Sequence, residues 1–200
     1  MQHSGKLIII VGPDGVGKTT IARKLVELYP GPTGYFHWIP DIGGDLPQAP
    51  PLTPGPPPPK AEGTGSAVAG WLRLARNVVR MWVAHIRMVR PALANGALVV
   101  GDRGIFGYHG QPIPLRFYGP AWLASAAMRC VPKPDIVANL SAPAEEIVRR
   151  KQELTSAQAE AELKKWRALP LSTLRTFDCM QTPEQIAQDI LNELERKNGR

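Results

Sequence analysis

Apolar positions along the chain change period several times, and each change marks an element. Residues 6–11 form a β-branched run, Lys-Leu-Ile-Ile-Ile-Val, of the kind a buried central strand needs. Apolar residues at 21, 22, 25, 26 and 28 then recur at helical spacing. After the turn Gly31-Pro32-Thr33-Gly34, a second short strand is expected over 35–39, stopped by Pro40. From 67 to about 89 the period is helical again. Trp71, Leu74, Val78, Met81, Trp82, His85 and Val89 share one face, so His85 reads as a packed core histidine. Arg73, Arg76, Arg80 and Arg87 fall on the opposite face, and residues 91–96 should end the helix. A strand over 97–103 closes on Asp102-Arg103, and the Gly- and Pro-rich loop 104–119 carries Tyr108, Arg116 and Tyr118. A helix over 120–130, a strand over 135–140 and a helix over 143–154 follow. Thr155 and Gln158 have capping-box spacing, so a fresh helix should start near 156 and run to 169. The last strand is expected over 172–178, and Thr182-Pro183-Glu184-Gln185 opens an amphipathic helix with Ile186, Ile190, Leu191 and Leu194.

Strands and helices that alternate throughout argue a parallel sheet covered on both faces, with right-handed crossovers. Ligands of such sheets bind at the C-terminal ends of the strands, where Gly12, Asp102, Ser141 and the loop after Ile39 converge. Residues 1–200 suit one domain with a sizeable core. The segment 41–65 departs from this pattern. It holds prolines at 47, 50, 51, 54 and 56–59, which excludes helix and central strand and predicts an extended, exposed loop. Such a loop suits a partner's aromatic groove, a flap over an acceptor site, or a tolerated insertion.

Composition narrows the class. No apolar stretch is long enough to span a bilayer, and the first five residues lack the basic and apolar regions of a signal peptide. Cys130 and Cys179 form no C-x-x-C pair, so both are expected to be reduced core residues in a cytoplasmic protein. The four histidines are scattered and suggest no zinc site. Lysine and arginine total 24 against 17 acidic residues, a formal charge of +7 that suits anionic ligands. Charge alone also suits nucleic acid, yet no recognisable binding module supports it, and an arginine-heavy excess favours phosphorylated small ligands.

The chemistry concentrates in Gly12-Pro13-Asp14-Gly15-Val16-Gly17-Lys18-Thr19-Thr20, which fills every fixed position of G-x-x-x-x-G-K-[ST] between a predicted strand and a predicted helix. Three glycines let the backbone turn its N–H groups round an anion, and the helix beginning near Lys18 adds the positive end of its dipole. Lys18 should reach the β- and γ-phosphates of a nucleotide, and the Thr19 hydroxyl should ligate Mg2+. Asp102, at the end of a later strand, fits the second element of such a site, a carboxylate that holds the metal or its water. One or two of Arg73, Arg76 and Arg80, with Tyr108, are candidates for the acceptor side.

Together the phosphate loop, Asp102-Arg103, Tyr118-Gly119-Pro120, Pro134-Asp135 and Arg150-Lys151-Gln152-Glu153-Leu154 resemble the thymidylate kinase family, most closely its divergent bacterial branch. The resemblance covers nearly the whole chain. It implies a P-loop kinase, a three-layer α/β/α sandwich with a five-stranded parallel sheet in the order 2-3-1-4-5 and a helical lid over about 149–168. It also implies ATP as donor, Mg2+ as cofactor, a nucleoside monophosphate as acceptor, and leaves a homodimer open. Carried onto this sequence, Lys18 and the loop amides hold the donor phosphates, Asp14 helps place the acceptor sugar, and Asp102 supports the metal. Arg103 matches the family's Asp-Arg arginine, and Arg149, Arg150 and Lys151 stand where the lid begins, to neutralise charge on the transferring group. One position departs: where the family follows strand two with an arginine, this chain has Ile39, within His-Trp-Ile-Pro.

The reading is therefore an ATP-dependent kinase with dTMP as first candidate acceptor. A sugar hydroxyl as acceptor would need a base, for which Asp14 or Asp102 would serve. The rival is a nucleotide-binding regulatory protein acting through the proline loop. A GTPase is disfavoured because no Asn-Lys-x-Asp motif is present.

Overall fold

The computed structural model of the protein describes residues 5–51, 66–112, 115–150 and 155–198. Five strands, β1 (Lys6–Val11), β2 (Thr33–His37), β3 (Leu98–Asp102), β4 (Ile136–Ser141) and β5 (Leu174–Asp178), form one all-parallel sheet in the order β2-β3-β1-β4-β5. The three inner strands are buried almost throughout, as an apolar run without alternation requires. Register carries the C-terminal ends to one rim: Ile10 pairs with Asp102, and Val11 with Asn139. Helices cover both faces, giving the expected three-layer sandwich. One core face gathers Ile8, Ile10, Leu25, Leu140 and Ile190, with helix α1 (Lys18–Leu28) packed on α8 (Pro183–Asn198). The other gathers Ile9, Val99, Leu74, Met81, Phe117 and Trp166.

The long helix departs from its sequence reading. Helix α2 (Ala67–Ala84) passes into a π-helical turn, His85–Val89, and then into α3 (Arg90–Ala94), so it ends within 91–96 as expected but runs through Pro91 instead of stopping near 89. Within the turn the Arg90 N–H reaches back five residues to the His85 carbonyl. The widened turn before Pro91 makes room for a ring that would strike the carbonyl four residues back in regular helix. The predicted apolar face is also only half right. Leu74, Met81 and Val89 are buried, but Trp71 and Trp82 are half-exposed, and Trp82 Nε1 donates at 2.6 Å to the carbonyl of Cys130, which follows α5 (Ala121–Arg129) and is exposed rather than in the core as expected, whereas Cys179 is buried. His85 is half-buried, edge-on to Trp82.

Other differences are local. The second strand spans 33–37 rather than 35–39, because pairing with β3 ends at His37↔Asp102. The last strand starts at Leu174, two residues later than expected. The loop 104–119 contains a 3-10 turn, Gly104–Phe106, and a one-turn helix α4 (Gly107–Gly110). Part of the proline segment is packed rather than free. The Tyr35 N–H donates to the Pro47 carbonyl at 2.6 Å and Thr33 Oγ1 to the Gln48 carbonyl at 2.9 Å, so residues 47 and 48 lie beside β2. Prolines 54 and 56–59 lie outside the described residues. The expected basic hairpin is α6 (Ala144–Arg150) and α7 (Ser156–Arg167), with Lys151 outside the described residues. The Thr155/Gln158 capping box is formed with both hydrogen bonds. Helix α7 buries Ala159, Leu163 and Trp166, so the candidate lid helix is rooted in the core.

Candidate phosphate cradle and adjoining cleft

The loop between β1 and α1 takes the shape its glycines permit. Gly12, Gly15 and Gly17 have φ of 143°, 85° and 102°, which L side chains rarely adopt. Gly12 also lies against the Leu140 carbonyl, where a methyl group would sit 2.7 Å from the oxygen. Gly17 caps α1, leaving the first amides of the helix facing the loop. Val16 is buried in the core, whereas Thr19 is half-buried and Thr20 exposed. The Lys18 side chain is buried and donates to the carbonyls of Gly12 at 3.1 Å and Pro13 at 2.7 Å, with Asp14 Oδ1 at 3.4 Å. Burial, helped by the Arg103 charge, pulls its ammonium down to about 8 against the opposing pull of Asp102 and Asp14.

Asp102 stands beside this cradle, at the rim of the sheet and buried. Burial disfavours its charge, but the His37 hydrogen bond and the Lys18 and Arg103 charges outweigh that and hold its carboxyl below the usual range. His37 Nδ1 is 3.3 Å from Oδ2. Oδ1 is buried and accepts no hydrogen bond among the described residues, with Arg103 Nε 3.7 Å away. A buried anionic oxygen without a hydrogen bond fits a cation or its water. Among the described residues no cluster of three His, Cys, Asp or Glu side chains could by itself hold a metal. A divalent ion here would take Asp102, Thr19 and the ligand's own phosphate oxygens, the usual habit of Mg2+.

Arg103 links the cradle to a second, polar cleft. Its guanidinium pairs with Asp14 and donates to Gln111 Oε1, and it lies 5.1 Å from the centre of the Trp38 ring. Gln111 Nε2 in turn reaches Asp14 Oδ2 at 3.4 Å and Glu162 Oε2, on α7, at 3.0 Å. Burial raises the Glu162 carboxyl, with Asp14 adding to the rise and Gln111, Lys18 and Arg103 opposing it. Trp38 and Arg103 both hold positive φ, 61° and 71°, at the ends of neighbouring strands, and the Trp38 N–H donates to the Asp102 carbonyl at 2.9 Å.

The structure thus brings together Lys18, Asp14, Asp102 and Arg103, with Thr19 next to Lys18 at the start of α1, and gives other candidates different partners. Tyr108 is buried, its hydroxyl accepting from Asn77 Nδ2 at 2.7 Å, and burial raises its pKa. Arg73 donates to the Leu115 and Arg116 carbonyls at 3.5 and 3.0 Å, holding that turn. Arg76 is exposed and Arg80 half-exposed. Arg149, 77% exposed, pairs with Glu146 at 2.7 Å, and Arg150 joins Glu146 to the Cys179 carbonyl. Those pairings tie both arginines to α6 and to the residue after β5. His37, Trp38, Gln111 and Glu162 escaped the sequence reading. Only the aromatic pair His-Trp before Ile39, and a lone inward acid on a basic helix, hint at them. A separate cavity of about 670 Å³ opens at the opposite rim, lined by Leu28, Tyr29, Pro32, Asn95 and Leu191, and no candidate residue borders it.

Compared with models of known protein families the chain matches none, and no curated protein sequence matches it.

Proposed function

We propose that this chain is an ATP-dependent phosphotransferase of the thymidylate kinase-like type, passing the γ-phosphoryl group to a nucleoside monophosphate, with dTMP the first candidate. One observation carries the reading: a buried lysine and a buried carboxylate flank a glycine-built amide cradle at the rim of a parallel sheet ordered 2-3-1-4-5. The amides at the start of α1 and Lys18 bind the β- and γ-phosphates, which displace the loop carbonyls as the lysine's partners. Thr19 and Asp102 are the groups that would hold Mg2+, whose charge neutralises the phosphate oxygens. Arg103 meets charge on the group in transfer, and Asp14, beside it, positions the acceptor. A phosphate oxygen as nucleophile needs no base, so alignment and charge neutralisation suffice.

A second acceptor class has an observation in its favour. Trp38 and Ile39 occupy the segment where the resemblance calls for an arginine, and Arg103 is already paired with Asp14. That economy of positive charge suits a neutral hydroxyl acceptor, with Asp14 or Asp102 as base. A coupled ADP-release screen over dTMP, other nucleoside monophosphates, nucleosides and sugars decides between them. Acceptor-stimulated turnover is expected; ATP binding without turnover for any acceptor would move the reading to a regulatory nucleotide binder. Among the described residues no helix is long and apolar enough to cross a membrane, and the proposed compartment is the cytoplasm.

A further inference from the structure

Helix α4 is four residues long, and it begins and ends with glycine. Gly107 has ordinary helical dihedrals, φ −57° and ψ −29°, so its backbone does not call for glycine. What excludes a side chain is Trp38: a methyl group on Gly107 would stand 2.1 Å from Cζ3 and 2.7 Å from Cη2 of that indole. Gly110 bears the same relation to Trp166 of α7, with Cε2 and Cζ2 each at 2.2 Å. The short helix is gripped between two indoles brought from distant parts of the chain. Trp38 holds its ring there despite a left-handed backbone, unusual for a bulky aromatic. The same ring lies over the Arg103 guanidinium, while Gln111, directly after α4, bonds that guanidinium at its edge.

Resting on the phosphotransfer reading above, we infer that Trp38 is a positioning residue: seated on Gly107, its indole and Gln111 together fix the Arg103 guanidinium beside Asp14 and the Lys18 cradle. An arginine side chain left alone samples many rotamers, and a flat aromatic face with an in-plane acceptor removes that freedom. The strain at Trp38 and Arg103 fits a pre-organised cation rather than a passive surface contact.

The test compares the full-length wild type with G107A, W38F, W38A and the double variant G107A/W38A, each checked for folding by thermal melting. With the best acceptor of the screen, G107A should lower kcat about 10- to 100-fold, the scale of a misplacement of about 1 Å, and leave the KM for ATP within about threefold. W38F keeps a flat ring and should recover most of the rate lost in W38A. G107A/W38A should be no worse than W38A, because the added methyl group no longer meets a ring. Wild-type kcat in G107A, or a double variant that loses the product of both single losses, overturns the inference. A second readout needs no turnover: the Arg103 guanidinium NMR signals of the free protein, assigned with R103K, should report restricted rotation in wild type and free rotation in G107A and W38A. Equal rotation in all three overturns the inference too. Absence of turnover in wild type would instead strike the phosphotransfer reading, and the NMR comparison would still decide what Trp38 does.

Discussion

The phosphate cradle and the cleft beside it hold charge by different means. The cradle is one contiguous stretch, Gly12 to Thr20, and its donors are backbone amides aimed by three left-handed glycines. Its positive end is supplied by helix geometry and needs no partner from elsewhere. The cleft is assembled from Trp38 after β2, Arg103 after β3, Gln111 after α4 and Glu162 on α7, and its cation is aimed by packing. A site made of local backbone survives changes far away in the chain. A site made of side chains from four segments depends on every element that carries them.

Four substitutions or conditions probe that contrast. Trp166→Ala should act most strongly on the cleft's support. It empties a fully buried indole site under α4 and should lower the unfolding free energy by about 3–5 kcal/mol in a denaturant titration. Equal stability would mean that α7 is not rooted there. Lys18→Ala should leave the fold intact yet cut kcat about 10²- to 10³-fold, the loss typical of one preorganised donor, or about 3–4 kcal/mol. Near-native kcat would remove the lysine from the chemistry.

The third is a pH effect. Lys18 titrates near 8 when folded and near 10.5 when unfolded, so its buried charge opposes folding fully below about pH 8. The unfolded chain binds the extra proton between those values, so this penalty, of order 3 kcal/mol, is relieved as pH rises from 8 towards 10.5. The stability gap between Lys18→Met and wild type should therefore narrow over that range, and a constant gap would contradict it. The smallest effect is expected from Gly12→Ala. A forced positive φ and a methyl group against the Leu140 carbonyl should reduce stability by about 1–3 kcal/mol and weaken ATP binding by calorimetry. Unchanged affinity would show that the loop's shape tolerates a side chain there.

The same contrast explains what could be read in the sequence. The strand, loop and first helix are written in adjacent residues, so glycine spacing and apolar period suffice for them. The sheet order came with the family resemblance, and the pairing of β2 with β3 and of β4 with β5 agrees with it. The boundary of β2 was not visible, because it is set where pairing with Asp102 stops rather than by the aromatic run. Nor was the continuation through Pro91, which rests on a π-turn with no fixed sequence mark. At the candidate site, Lys18, Asp14, Asp102 and Arg103 follow from motif positions. Gln111 and Glu162 do not, since only tertiary packing brings their side chains to Arg103 and Asp14. Arg149 and Arg150 show the converse: a basic run in sequence resolves into pairs with a neighbouring glutamate one turn away.

The contact of Pro47 and Gln48 with β2 has a consequence for how the sheet edge meets other chains. An outer strand normally presents a row of open amides and carbonyls on which a foreign chain can dock and extend the sheet. Here Pro47 and Gln48 already sit against that side, and Pro47 carries no amide hydrogen. That contact takes up the Tyr35 amide, so a foreign strand approaching this edge meets a donor already engaged.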